Sequence, residues 1–331
     1  MPFIHDIDTA HAWLGEFHRP LLLTHRRPDG DAIGSVAAMA LALKSLGKEP
    51  LAAFFEPYPA RYDFLRDGFT PYHWEESHEV LTTECDSLII LDTCSIPQLD
   101  PAAFFLQQAP PTLVIDHHVT RDAIGTRDRD HRLFDETAGA CALILTEWTQ
   151  RAGIALTPAI ATALFTGIAT DCGWFRFSNT DSRMMSAAAT LAGAGADVNA
   201  IYNRLYQQEP AGKLRLVAHI LSSMELLAGG RLAVMTLRDA DFARVGADRT
   251  MTEDLVNEAG RLAGVECMIL FTEETSGEVR VNLRSKERID VAEIARRFGG
   301  GGHVRAAGCR LLGGWDRRVP PFIQEMEQLL S

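Results

Sequence analysis

The sequence predicts an α/β fold, in which an N-terminal doubly wound parallel sheet is joined by a helical connector to a smaller α/β C-terminal domain. Three observations predict it. Short, continuous apolar runs alternate with helical patterns through the first half, the signature of a parallel sheet covered on both faces. From Thr137 to about Gln207 the pattern turns almost wholly helical. Strand patterns then return from Arg231 onward, after Gly229 and Gly230. At 331 residues the chain is long enough for two domains with a core each.

Pro20 to His25 reads as a buried strand and Ala32 to Leu46 as a helix. Leu51 to Phe55, Ser87 to Asp92 and Thr112 to Asp116 are further strands. Pro158, and Gly193 with Gly195, break the helical stretch into segments. Pro210 opens another helix, Ala211 to Leu227, which reads as a connector because the composition shifts after it. The expected domains are therefore 1–208, a connector at 209–230, and 231–331. Within the last, Leu232 to Leu237, Cys267 to Phe271 and Val279 to Leu283 read as strands, and Val291 to Phe298 as a helix. The run Gly299 to Gly302 is expected to be a loop opening a helix at Val304.

Hydrophobic residues make up 47% and charged residues 23%, the balance of a folded globular chain. The longest apolar stretch, Ala32 to Leu43, is too short to span a bilayer and contains Ser35. The opening residues lack the basic and apolar regions of a signal peptide, so a cytoplasmic location is expected. The six cysteines include no C-x-x-C pair, which removes support for a zinc ribbon or a thioredoxin-type site. A net charge of −12 argues against wrapping long nucleic acid. A small phosphorylated substrate held by metals and a few local cations remains open.

Location makes the acids and histidines informative. His25, Asp92 and the triplet Asp116-His117-His118 each stand at the C-terminal end of an expected strand, where open parallel sheets bind ligands. Pro28 and Gly30 enforce a turn that lets His25, Asp29 and Asp31 converge, although Asp29 also suits a helix cap. Asp171 ends a helical segment, where a carboxylate opposes the helix dipole. Adjacent histidines after a buried strand are poor core material. Carboxylates with some imidazole and no thiolate suit Mn²⁺ or Mg²⁺ better than structural zinc. Acids crowded at one edge call for bound cations, and two metals about 3.5–4 Å apart activate a water and stabilise a leaving oxygen at phosphorus.

These residues resemble the motifs of the DHH phosphoesterase superfamily: His25-x-x-Pro28-Asp29-x-Asp31-x-x-Gly34-Ser35, then Asp92, Asp116-His117-His118 and Asp171. Arg284-Ser285-Lys286 and the glycine run ending in His303, with Ala306, Ala307 and Gly308, resemble the first type of DHH-associated domain. Length and layout are closest to the nanoRNase subgroup, which cleaves very short oligonucleotides and 3′-phosphoadenosine-5′-phosphate. The resemblance implies two divalent metals, most simply Mn²⁺. It implies that His25, Asp29 and Asp92 hold one and that Asp31, Asp92, His117 and Asp171 hold the other, with Asp92 bridging. Asp116 would orient a histidine, and His118 would face the substrate phosphate. A homodimer is reasonable by the same resemblance.

The C-terminal domain adds charge of the right sign. Between Gly277 and Arg310 eight Arg/Lys face four acids, a local +4 in an acidic chain. Arg284, Ser285, Lys286, Gly301, Gly302 and His303 are the expected substrate contacts, holding the far end of a short substrate. Competing readings are a RecJ-like single-strand exonuclease, which would want more basic surface, and a family II pyrophosphatase, which lacks the glycine-histidine signature. A non-catalytic nucleotide sensor on the same scaffold would have no need of so many carboxylates.

Overall fold

The computed structural model describes residues 2–252 and 254–330, and their side chains except at 2–5 and 303. They divide into two compact units, one up to Gln208 and one from Glu209.

The first unit runs α1 (Pro2–Gly15), β1 (Pro20–Leu23), α2 (Gly30–Ser45), β2 (Leu51–Phe54), β3 (Pro71–His73), α3 (Trp74–Glu84), β4 (Ser87–Leu91), α4 (Ala103–Gln107), β5 (Thr112–Asp116) and β6 (His131–Phe134). Helices α5 (Cys141–Arg151), α6 (Pro158–Asp171), α7 (Ser182–Gly193) and α8 (Val198–Tyr206) follow. The sheet has the order β3-β2-β1-β4-β5-β6, and every neighbouring pair is parallel. The strand order reverses between β1 and β4, which opens a crevice at their C-terminal ends. Alternation along the strands loads both faces. Leu22, Ile89, Leu91 and Ile115 join the core with α1, α2, α5 and α6, while Leu21, Leu23, Leu88, Ile90 and Val114 pack with Trp74, Leu81 and Phe105 of α3 and α4.

Helix α6 begins with Pro158 at its first position, and the side chain of the cap residue Thr157 accepts from Ile160 N. It lies tight against α2. A Cβ at Gly167 would stand 2.6 Å from the Ala142 Cβ and 2.7 Å from Asp31 Oδ1, so only glycine permits this approach. The edge strands β3 and β6 were absent from the sequence reading. Both are only partly buried, so neither carries a continuous apolar run.

The second unit runs α9 (Ala211–Ser222), β7 (Glu225–Leu227), β8 (Leu232–Leu237), α10 (Asp239–Val245), β9 (Cys267–Glu273), β10 (Val279–Ser285), α11 (Val291–Arg297), β11 (Gly301–His303), β12 (Ala306–Leu311) and α12 (Trp315–Leu330). Its sheet has the order β11-β12-β10-β9-β8-β7, with β8 and β9 parallel and the other pairs antiparallel. Two expectations need correction. The helix foreseen as far as Leu227 ends at Ser222, and 225–227 pair with β8 as a strand. Because Leu216 and Ile220 of α9 are fully buried against this sheet, the segment belongs to the second unit's core.

The glycine run does not open a helix. It leads into a hairpin in which Gly302 pairs with Ala307 and His303 with Ala306. Gly302 has φ +139°, and a Cβ there would stand 2.5 Å from the Ala306 carbonyl oxygen. Close strand pairing is what requires the glycine, and the expected anion-binding helix start is not formed. Among the described residues no helix is long and apolar enough to cross a membrane.

Candidate metal centre

The strand ends at the reversal point carry the acids and histidines. His25 stands two residues past β1, Asp92 directly follows β4, Asp116 ends β5, and Asp171 ends α6. Asp29 caps α2 through Oδ1, which accepts from the amides of Asp31 and Ala32 at 3.0 and 3.1 Å. The cap and the ligand reading coexist, because Oδ2 is left over. Asp31, in the first turn of α2, is fully buried. Its carboxylate accepts from the amides of Cys141 at 2.6 Å and Ala142 at 2.9 Å, the first turn of α5, and from Ser35 Oγ at 3.3 Å. A helix N-terminus therefore faces this buried acid.

Asp92 occupies the centre. Its backbone is left-handed, with φ +61°, and its side chain is 3% exposed. Oδ2 lies 3.5 Å from His25 Nε2, and Oδ1 lies 3.4 Å from His117 Nε2. His117 Nε2 is also 4.0 Å from Asp31 Oδ2. Both rings are held from behind: Nδ1 of His25 meets the Arg26 carbonyl at 2.9 Å, and Nδ1 of His117 meets the Ala138 carbonyl at 3.1 Å. A ring that donates from Nδ1 keeps Nε2 as the lone-pair nitrogen facing the acids.

Three sets of donor atoms converge within 4.8 Å: His25–Asp29–Asp92, Asp31–His117–Asp171 and Asp92–His117–His118. The fit to divalent cations rests on two observations. Among the described residues the buried Asp92 Oδ1 has no close donor beyond the long contact to His117 Nε2 at 3.4 Å, and the site's ligand atoms are carboxylate oxygens and imidazole nitrogens.

Electrostatics describe a site short of cations. Burial opposes charge on His25, yet the hydrogen bond and attraction to Asp92 outweigh it and push the imidazole up to about 9. His117 goes up to about 10 by the same balance, with Asp31 adding to Asp92. Asp31 is driven well above the carboxylate range by burial and then by Asp92 and Asp171. Asp171 rises to about 7, through burial opposed by His117 and reinforced by Asp92 and Asp29. Asp29 is raised too, first by the crowding of protein around its carboxyl and then by Asp92, although it stands at the accessible rim. Asp92 alone stays low, because hydrogen bonds from both histidines overcome its burial. Carboxylates and imidazoles crowded this closely are the setting in which a bound cation would relieve the repulsion.

Asp116 is fully buried, and its Oδ1 accepts from the amides of His117 and His118 and from His118 Nδ1 at 2.7 Å. That hydrogen bond, ahead of opposing burial, raises His118 above its ordinary value. The His118 side chain is 53% exposed, so Asp116 orients a histidine that reaches solvent.

The six expected metal ligands and His118 all enter these donor sets, while the expected contacts in the second unit do not share one face. Arg284 lies on the face of β10 that also carries Arg280 and Asn282. Ser285 points the other way and donates to the Ile289 carbonyl at 2.6 Å, and Lys286 Nζ donates to the Leu262 carbonyl at 2.6 Å. Gly301 and Gly302 lie in β11, and the side chain of His303 lies outside the described residues. Asn282, on the Arg284 face of β10, was not foreseen, and its buried side-chain oxygen has no hydrogen-bond partner among the described residues. Period-two alternation from Arg284 was the available signal.

Residues 20–168 match the N-terminal domain of the DHH family, and residues 229–331 match the DHHA1 domain. The chain is 33% identical over 297 residues to the bifunctional oligoribonuclease and PAP phosphatase NrnA of Thermus thermophilus, covering 88% of this chain and 84% of that protein. The chain belongs to the DHH family. Another DHH-family relative, the Bacillus subtilis protein of the same description, is 26% identical and covers 89% of this chain and 90% of its own length. The crystal structure of an exopolyphosphatase-related protein from Bacteroides fragilis shares the fold, with a TM-score of 0.88 at 21% identity over 98% of this chain and 97% of that one.

Proposed function

We propose that this DHH-family chain is a Mn²⁺-dependent phosphoesterase that hydrolyses very short oligonucleotides to mononucleotides and 3′-phosphoadenosine-5′-phosphate to AMP. One observation carries the chemistry: a single buried carboxylate, Asp92, is shared between two histidine–carboxylate sets, as a bridging ligand would be. The relatives described as bifunctional oligoribonuclease and PAP phosphatase, aligned over most of both chains, support the choice of substrate.

In this reading His25, Asp29 and Asp92 hold one divalent ion, and Asp31, Asp92, His117 and Asp171 hold the other. Such a pair, when bound, lowers the pKa of an attacking water and neutralises charge at phosphorus. The chain's own residues do the rest. Asp116 fixes the tautomer of His118 with the proton on Nδ1. His118 then offers its outer ring nitrogen to the substrate and, protonated, can supply a proton to the leaving oxygen. The raised pKa of His118 favours that protonated form. In the second unit, Arg284 with Arg280 and Asn282 supplies cationic and amide donors suited to a nucleotide.

The test is product release with Mn²⁺ from a 5′-phosphorylated RNA dimer, 3′-phosphoadenosine-5′-phosphate, pyrophosphate and a 20-residue single strand. Turnover of the first two well ahead of the others is expected. Preference for the 20-mer or pyrophosphate would keep the metal site and overturn the substrate.

A further inference from the structure

Behind the metal ligands runs a short strap, Asp135 to Ala140, that leads into α5. The strap and the first turn of α5 together hold one donor set, His117 directly, Asp171 through Asn179 and Asp31 through the helix amides. The Ala138 carbonyl takes Nδ1 of His117 at 3.1 Å. The Gly139 carbonyl accepts from Asn179 Nδ2 at 3.0 Å, and that amide also reaches Asp171 Oδ2 at 3.3 Å. Immediately after the strap, the amides of Cys141 and Ala142 hold Asp31. No such tie runs from the strap to His25 or Asp29 among the described residues.

Besides Asn179 at Gly139 and Arg121 on Glu136, a further side chain anchors the start of the strap from outside. Arg183, on α7, donates to Asp135 Oδ2 at 2.8 Å and to Thr137 Oγ1 at 3.0 Å. The same guanidinium forks onto both oxygens of Glu147 on α5 at 2.9 Å. Asp135 closes the turn by accepting from the Thr137 amide and hydroxyl at 2.9 and 2.6 Å. One planar fork thus ties the start of the strap, and the helix α5 that follows it, to α7.

We propose that Arg183 is a positioning residue for one metal position only, the one ringed by Asp31, His117 and Asp171. The inference rests on the metal reading above. Groups behind the ligands typically alter metal affinity about 10–100-fold when removed. Here the effect falls on one position, because the strap and the first turn of α5 hold one donor set and make no such tie to His25 or Asp29 among the described residues.

Calorimetric titration of Mn²⁺ into the metal-stripped full chain tests this. Wild type should show two uptake steps, which Asp29→Asn and Asp171→Asn assign by each weakening its own. Arg183→Ala should weaken the Asp171 step about 10–100-fold and leave the Asp29 step in place, with Arg183→Lys intermediate. Arg151→Ala, at the end of the same helix α5, breaks a two-contact pair with Asp8 of α1 but touches no strap residue, and should move neither step. If Arg183→Ala fails to fold, Asp135→Asn is judged by the same criterion. Both steps weakening together, or neither, overturns the positioning role while leaving the phosphoesterase reading intact. No uptake by wild type overturns both.

Discussion

Replacing Asp92 with asparagine separates its role as a shared ligand from its role in the backbone. The residue sits at φ +61°, which asparagine tolerates and which costs an alanine roughly 1–2 kcal/mol. Asparagine also keeps the volume of a side chain that is 3% exposed, so the fold should survive. In the metal-free protein the variant removes the hydrogen bond and charge that raise His25 to about 9. The sign follows from linkage. A histidine raised from 6.5 to about 9 contributes stability that is fully present below pH 6.5 and lost as pH climbs through 9. That loss is about 3 kcal/mol for His25, at about 1.4 kcal/mol per pH unit. In Asp92→Asn burial, which lowers the histidine, is opposed only by the Arg26 carbonyl and Asp29, so the loss should shrink markedly. Urea titrations in chelator at pH 6, 7.5, 9 and 10 read this through tryptophan fluorescence, since Trp13, Trp74, Trp148 and Trp174 lie in the first unit. With saturating Mn²⁺ the wild type should regain stability, by about 2.7 kcal/mol at 100 times Kd, and the variant much less. Turnover should fall at least about a hundredfold, the scale of losing one preorganised electrostatic partner. An unchanged pH slope, or turnover within tenfold of wild type, would refute the placement of Asp92 between the two histidines.

Further outcomes are expected. Because His25 and His117 hold protons up to about 9 and 10 in the metal-free chain, Mn²⁺ binding should release protons and tighten as pH rises from 6 to 9; uptake without proton release in a weakly buffered titration would contradict this. Asp116→Asn should lower kcat about 10²–10⁴-fold while two metals remain bound, since it frees His118 and meets a proposed ligand only at the His117 backbone amide; metal analysis beside kinetics checks it. Gly167→Ala should destabilise the first unit by about 1–3 kcal/mol in urea, because its Cβ would press on Ala142 and the Asp31 carboxylate, and an unchanged midpoint would mean that α2 and α6 are looser than they look.

The sequence by itself determined the central strands, helix α2, the helical stretch after Thr137, and which acids and histidines stand at the strand ends. Leu88 to Leu91 and Leu113 to Ile115 are apolar on every position because both sheet faces are covered, and acids and histidines interrupt such runs only where the strands stop. Local punctuation did the same for α2 and α6, whose starts follow from Asp29 and from Thr157 with Pro158. Tertiary structure alone decided what depends on approach between distant segments. The edge strands β3 and β6 gain their pairing from neighbours rather than from an apolar run of their own. The glycines before His303 read as an anion loop opening a helix, and form a hairpin because Gly302 meets Ala307. Ser285 belongs with Arg284 in the sequence and on the opposite face in the sheet. Arg183 and Asn179 carry no motif at all, because their meaning lies in hydrogen bonds to a strap some forty residues earlier in the chain. Periodicity records which side of an element is buried; it cannot record which element arrives to bury it.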